Sequence, residues 1–176
     1  MAAATEPIMA ALERNWQMVD AALVGLDEAT LARRPSDQCN SIAWILWHMN
    51  RVVDTFIHAR FQSKPQLWVR DGWHRKFGMS ADPDDRGVGW TAQQVAAWAP
   101  PSGAAQLGYF EAVKTSAREY LASLSYADLA RQIVATPVPQ PRSVADVLGQ
   151  MTWDNIAHGG QIAYLRGFYR GMGWHR

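Results

Sequence analysis

The chain has one cysteine, almost no net charge and no long apolar run, and each scarcity removes a class of protein. A lone Cys39 excludes an intrachain disulfide and points to a reducing, cytoplasmic compartment. A formal charge of +1 over 176 residues argues against nucleic acid as a partner, because a broad binding patch needs a clear excess of Lys and Arg. The short basic clusters, Arg33-Arg34 and Arg166 to Arg176, read as solvated. No stretch reaches the ~18 uninterrupted apolar residues of a membrane span, so no membrane partner is expected. Residues Met1 to Pro7 lack the charged and apolar regions of a signal peptide. Internal repeats, low-complexity tails and strand-like alternation of useful length are missing as well. Tryptophan, by contrast, is plentiful, with nine copies. Trp44, Trp47 and Trp153 either fill a core or wall a pocket for an apolar or flat ligand.

The apolar spacing predicts four long helices. The first runs from about Glu6 to Val24, with Leu12, Trp16 and Val19 on one face and Gly25 ending it. The second opens behind Asn40 or Ser41 as a cap and reaches about Phe61 through Ile45, Met49, Val52 and Phe56. The third spans Gly103 to Leu124. The last starts at Ser143, with Asp146 three residues on in a capping-box-like arrangement, and extends to about Tyr169. Shorter helices are expected at Thr91 to Ala99 and Tyr126 to Arg131. Residues 65–102 are interrupted by Gly and Pro, and residues 136–142, with Pro137, Pro139 and Pro141, read as a non-helical linker. The fold class is therefore all-α: one domain over residues 1–176, a four-helix bundle with a long crossover between its second and third helices. A crossover of that length often serves as a lid or binding loop.

On the last helix, Asp154 follows Met151 by three residues and His158 follows Asp154 by four. Both fall in the gap of the apolar stripe and should point toward the core, where an unpartnered carboxylate is costly. His48 occupies the border of the stripe of the second helix, beside Trp44. Two readings stand. In one, Asp154 hydrogen-bonds a histidine and His48 is a satisfied core residue. In the other, two imidazoles and a carboxylate from facing helices hold a divalent metal and leave positions open for water or substrate.

The chain resembles the DinB-like superfamily, also called the YfiT-like metal-dependent hydrolases. The likeness rests on Ser41-Ile42-Ala43-Trp44-Ile45-Leu46-Trp47-His48-Met49 and on Asp154-Asn155-Ile156-Ala157-His158-Gly159-Gly160-Gln161-Ile162. That family has a four-helix bundle and a His triad, one from the second helix and two in an HxxxH near the end of the chain, often followed by xxQ. His48 matches the first, and His158 with Gln161 the last; Asp154 stands where the middle histidine is usual. The resemblance implies a divalent metal, zinc or nickel first and manganese or iron next. It also implies a small-molecule substrate and a thiol-dependent S-transferase or hydrolase activity. Relatives use bacillithiol or mycothiol, so a low-molecular-weight thiol is a second implied cofactor, and a homodimer is implied by analogy. A metal-free, non-catalytic bundle that binds a ligand or partner is the alternative. The segments Trp73 to Met79 and Thr91 to Trp98 are loosely similar to the crossover of one branch.

Other residues carry less. Cys39 precedes a helix N-terminus, where thiol pKa values can fall. His58, ten residues beyond His48, is expected to face outward. His74, in the crossover, is either a solvated loop residue or reaches the pocket as a ligand or proton carrier. Gly159 and Gly160 each cost a helix roughly 1 kcal/mol against Ala, which the close approach of a helix or ligand would explain. Tyr164 and Arg166 could serve a dimer face.

Overall fold

Serine caps start three of the four long helices. Ser41, Ser102 and Ser143 each accept a hydrogen bond from the backbone amide three residues on, which satisfies a donor the helix cannot pair itself. In the computed structural model, which describes residues 4–135 and 138–175, these helices are α1 (Glu6–Leu23), α3 (Ile42–Asp54), α7 (Gly103–Ser123) and α9 (Val144–Arg170). α1 packs on α9, α9 on α3, α3 on α7 and α7 on α1, which closes a four-helix bundle around a single apolar core. Leu12, Trp16, Trp47, Met49, Phe110 and Met151 are among its fully enclosed members.

Shorter helices fill the connections: α2 (Glu28–Ala32), α4 (Leu67–Arg70), α5 (Trp73–Lys76), α6 (Ala92–Ala97) and α8 (Tyr126–Ala130). α6 begins at a capping box made by Thr91 and Gln94. The second long helix does not stay α-helical to Phe61. From Thr55 to Arg60 it widens into a π-helix, whose i→i+5 bonding shifts the rotational phase of its side chains. That shift turns His58 inward: the residue expected to face solvent is buried.

The crossover is packed, and this is what encloses α3. Every residue from Ile42 to Asp54 is buried. Arg51, wholly buried, donates from its guanidinium to the carbonyls of Asp82, Pro83 and Asp85 and to Oε1 of Gln66. Gly87, at φ +78, lies so close to the Trp44 ring that a Cβ would stand 2.5 Å from it. Trp90 and Trp98 flank Trp47, with ring centroids 5.2 and 5.7 Å away.

Residues 132–135 and 138–143 are non-helical, as expected of the linker at 138–142, but they correct the expected lack of strands. Strands β1 (Gln132–Ala135) and β2 (Val138–Ser143) form an antiparallel ribbon, with Gln132 opposite Ser143 and Ala135 opposite Val138. A two-stranded ribbon has a free edge on each strand, so Pro139 and Pro141, which lack an amide donor, can be accommodated there. Thr136 and Pro137 of the linker lie outside the described residues.

Candidate metal centre

α9 carries two polar groups side by side in different roles. Asn155 sits at the centre of its buried face and accepts from Nδ2 of Asn15 at 2.9 Å and Nε1 of Trp16 at 3.1 Å. Asp154 and His158 lie at the border of that face, on the side of α3, with side chains 23% and 20% exposed. They are thus half-buried rather than within the core. An i, i+4 pair shares one helix face, and Nε2 of His158 stands 3.5 Å from Oδ1 of Asp154.

His48 reaches the pair from α3. Its ring meets that of His158 edge-on, with centroids 4.7 Å apart, and lies flat against Trp44, 5.1 Å apart with planes 9° from parallel. His48, Asp154 and His158 each present a ligating atom, all within 4.8 Å of one another. Among the described residues, no other cluster of three His, Cys, Asp or Glu side chains has ligating atoms so close.

Both imidazoles have one nitrogen already engaged. Nδ1 of His48 donates to the carbonyl oxygen of Arg86 in the crossover. Nδ1 of His158 donates to Oε1 of Gln161 at 2.9 Å. Each bond places the proton on Nδ1 and leaves the Nε2 lone pair free, the usual arrangement of a metal-ligating histidine. Burial pushes the His48 imidazole below its ordinary value, reinforced by His158 and opposed by the Arg86 carbonyl and Asp154. For His158, burial also lowers the pKa, but the bonds to Asp154 and Gln161 outweigh it and raise the group. The remaining carboxylate oxygen, Oδ2 of Asp154, is buried and has no hydrogen-bond partner. An orphaned carboxylate oxygen beside two available imidazole lone pairs is the donor set that a divalent cation fits.

A groove of about 660 Å³ adjoins the cluster, lined by Cys39, Ile45, Gly160, Gln161, Tyr164 and Phe168 among others. Gln161 is thus shared between the groove and the orientation of His158. The two glycines separate in role. A Cβ on Gly159 would overlap the Asn15 amide, so this residue permits the approach of α1 to α9. Gly160 meets nothing within 4 Å and lines the groove.

The other expected residues scatter. Trp44 walls the cluster by stacking on His48, whereas Trp47 is fully buried behind it among Trp68, Trp90 and Trp98. Trp153 points away and is 70% exposed, because it lies on the solvent side of α9. His74 is held by the carbonyl of Trp68 at 2.9 Å and is not part of the cluster. The Arg86 carbonyl left no trace in the sequence, since any residue supplies one.

A helical bundle that converges two histidines and a carboxylate from facing helices defines a class: α-bundle proteins with a candidate metal centre in the groove between helices. The chain belongs to the DinB superfamily, whose sequence profile matches residues 11–162. A conserved protein of known crystal structure from Enterococcus faecalis has the same fold, with a TM-score of 0.84 at 23% identity over 98% of this chain and 100% of the other. No curated protein is a significant match. Among the described residues, no helix is long and apolar enough to cross a membrane.

Proposed function

We propose that the chain is a metal-dependent enzyme acting on a small molecule, of thiol-dependent S-transferase or hydrolase type. His48, Asp154 and His158 hold one divalent ion, zinc or nickel by preference. The observation that carries this reading is the buried, unpartnered Oδ2 of Asp154 beside two imidazoles whose Nδ1 atoms are already bonded. A divalent ion there supplies Lewis acidity that lowers the pKa of a thiol or water. The chain's own residues do the rest. Arg86 and Gln161 fix the ring orientations, Trp44 excludes water from one flank, and the adjoining groove receives the substrate. Cys39 lines that groove and is half-buried.

Elemental analysis of protein purified without chelator tests the site. One ion per chain is expected in the wild type, and none in His158→Ala. Equally low metal in both sinks the reading and leaves a non-catalytic bundle that binds a ligand or partner. We propose further that two copies associate through the exposed face of α9, where Trp153, Ile156, Tyr164 and Phe168 are 70, 40, 72 and 60% exposed, which would set the groove edge formed by Tyr164 and Phe168 at the seam between copies.

A further inference from the structure

The far half of the second helix carries a cluster that the metal centre does not use. Asp54 ends α3, and His58 follows one turn later inside the π-helix. Nδ1 of His58 stands 2.8 Å from Oδ1 of Asp54 and 3.2 Å from the Asp54 carbonyl oxygen. Two acceptors place the proton on Nδ1. Nε2 therefore carries the lone pair, and the hydroxyl of Ser116, on α7, lies 2.9 Å from it. Among the described residues, His58 is the sole hydrogen-bond partner of that hydroxyl. The Asp54 carboxylate is anchored in turn by the amides of Leu67 and Trp68, each at 2.9 Å, and by the Tyr109 hydroxyl at 2.7 Å.

The order nucleophile, base, orienting carboxylate is complete, and both links fall within the ~2.6–3.2 Å that such relays use. π-helical turns recur at functional sites. A pocket of about 250 Å³ opens onto the Ser116–His58 pair, with Lys64, Arg70, Glu119 and Tyr120 also on its walls. His58 is ten residues beyond His48 along one helix, about 15 Å at 1.5 Å per residue, so the two sites are separate.

We propose that Ser116, His58 and Asp54 form a second, metal-independent hydrolytic site for short-chain carboxylic esters. The pocket volume suits a small acyl group. Oγ of Ser116 attacks the ester carbonyl carbon while Nε2 of His58 takes the hydroxyl proton. Collapse of the tetrahedral adduct breaks the bond to the alkoxy oxygen. That oxygen leaves as an alcohol with the proton from His58, and the acyl group stays on Ser116. A water molecule, deprotonated by His58, attacks the acyl carbon. The carboxylic acid departs, and Ser116 regains the proton. Ester and water become acid and alcohol, with no change of oxidation state. Asp54 orients His58 and offsets the charge of its imidazolium, and Lys64 supplies positive charge for the oxyanion, while Arg70 on the same wall is paired with Asp71.

The test treats the full chain with diisopropyl fluorophosphate and locates the adduct by mass spectrometry, alongside turnover of p-nitrophenyl acetate, both with and without EDTA. The expected result is a phosphoryl adduct on Ser116 and turnover that falls roughly 100-fold in Ser116→Ala, with neither affected by EDTA. Ser116→Ala removes one oxygen, and its melting temperature is checked against the wild type. Folded wild type without an adduct on Ser116 overturns the proposal. So does turnover that survives Ser116→Ala. Turnover abolished by EDTA also overturns it and assigns the hydrolysis to the metal centre instead.

Discussion

A single oxygen, Oδ2 of Asp154, decides how the candidate centre is read, and the residues that hold the two imidazoles beside it decide how well it would work. Gln161 touches the proposed ion only through His158. Gln161→Ala is expected to weaken metal affinity by about 10–100-fold while leaving the melting temperature of the metal-free protein near that of the wild type. Competition against a chromophoric chelator measures it. The two histidines also set the pH response. His158 is raised above its ordinary 6.5, so on acidification it takes up a proton first and loses its lone pair. His48 is lowered and stays a neutral ligand further into acid. Affinity should therefore begin to fall at a pH above the ordinary imidazole value, as His158 protonates, and fall further in acid, as His48 follows. Calorimetric zinc titrations from about pH 8 to about pH 5 track this, and a flat response contradicts it. At this scale the sequence was informative about which side chains converge. His48, Asp154 and His158 were all legible from spacing and family likeness. The carbonyl of Arg86 was not, because a backbone acceptor has no residue signature. Trp153 misled, because a large apolar side chain beside a polar site reads as its wall although helical phase turns it to solvent.

Among the elements, α9 shows how adjacent identical residues can differ. Gly159 faces the Asn15 side chain of α1, whereas Gly160 faces open space. Gly159→Ala is expected to push α1 from α9 and destabilise the fold by about 1–3 kcal/mol. Gly160→Ala should stabilise it by up to about 1 kcal/mol, since alanine loses less entropy in a helix. Urea unfolding of the two variants separates these signs; equal shifts contradict the assignment. The long helices were readable because each couples a 3.6-residue apolar period to a clear start, a capping serine in three of the four. The π-helix at Thr55–Arg60 was not, since no composition marks it, and His58 within it was misplaced in phase. The ribbon at residues 132–143 was hidden by its prolines, which ordinarily argue against a strand.

At the scale of the whole molecule, the outer side of α9 exposes Trp153, Ile156, Tyr164 and Phe168 among the described residues. Light scattering is expected to find a dimer, and Tyr164→Glu a monomer, because a charge there opposes burial of the patch. A monomeric wild type contradicts this. The overall layout, four helices and one long crossover, was plain in the sequence; the crossover's close packing was not, because it depends on Arg51 reaching carbonyls more than thirty residues away. The bond from His48 to Arg86 gives that segment a further property. A loop that holds the tautomer of the proposed ligand His48 would be thermodynamically linked to the proposed ion, so whatever factor the closed loop adds to metal affinity, the metal would return to loop closure. Amide hydrogen exchange around residues 82–90 should therefore slow when zinc is added, by the same factor that loosening the loop costs in affinity. The connection that a bundle needs merely to join two helices would thus double as a readout of whether the proposed centre is loaded.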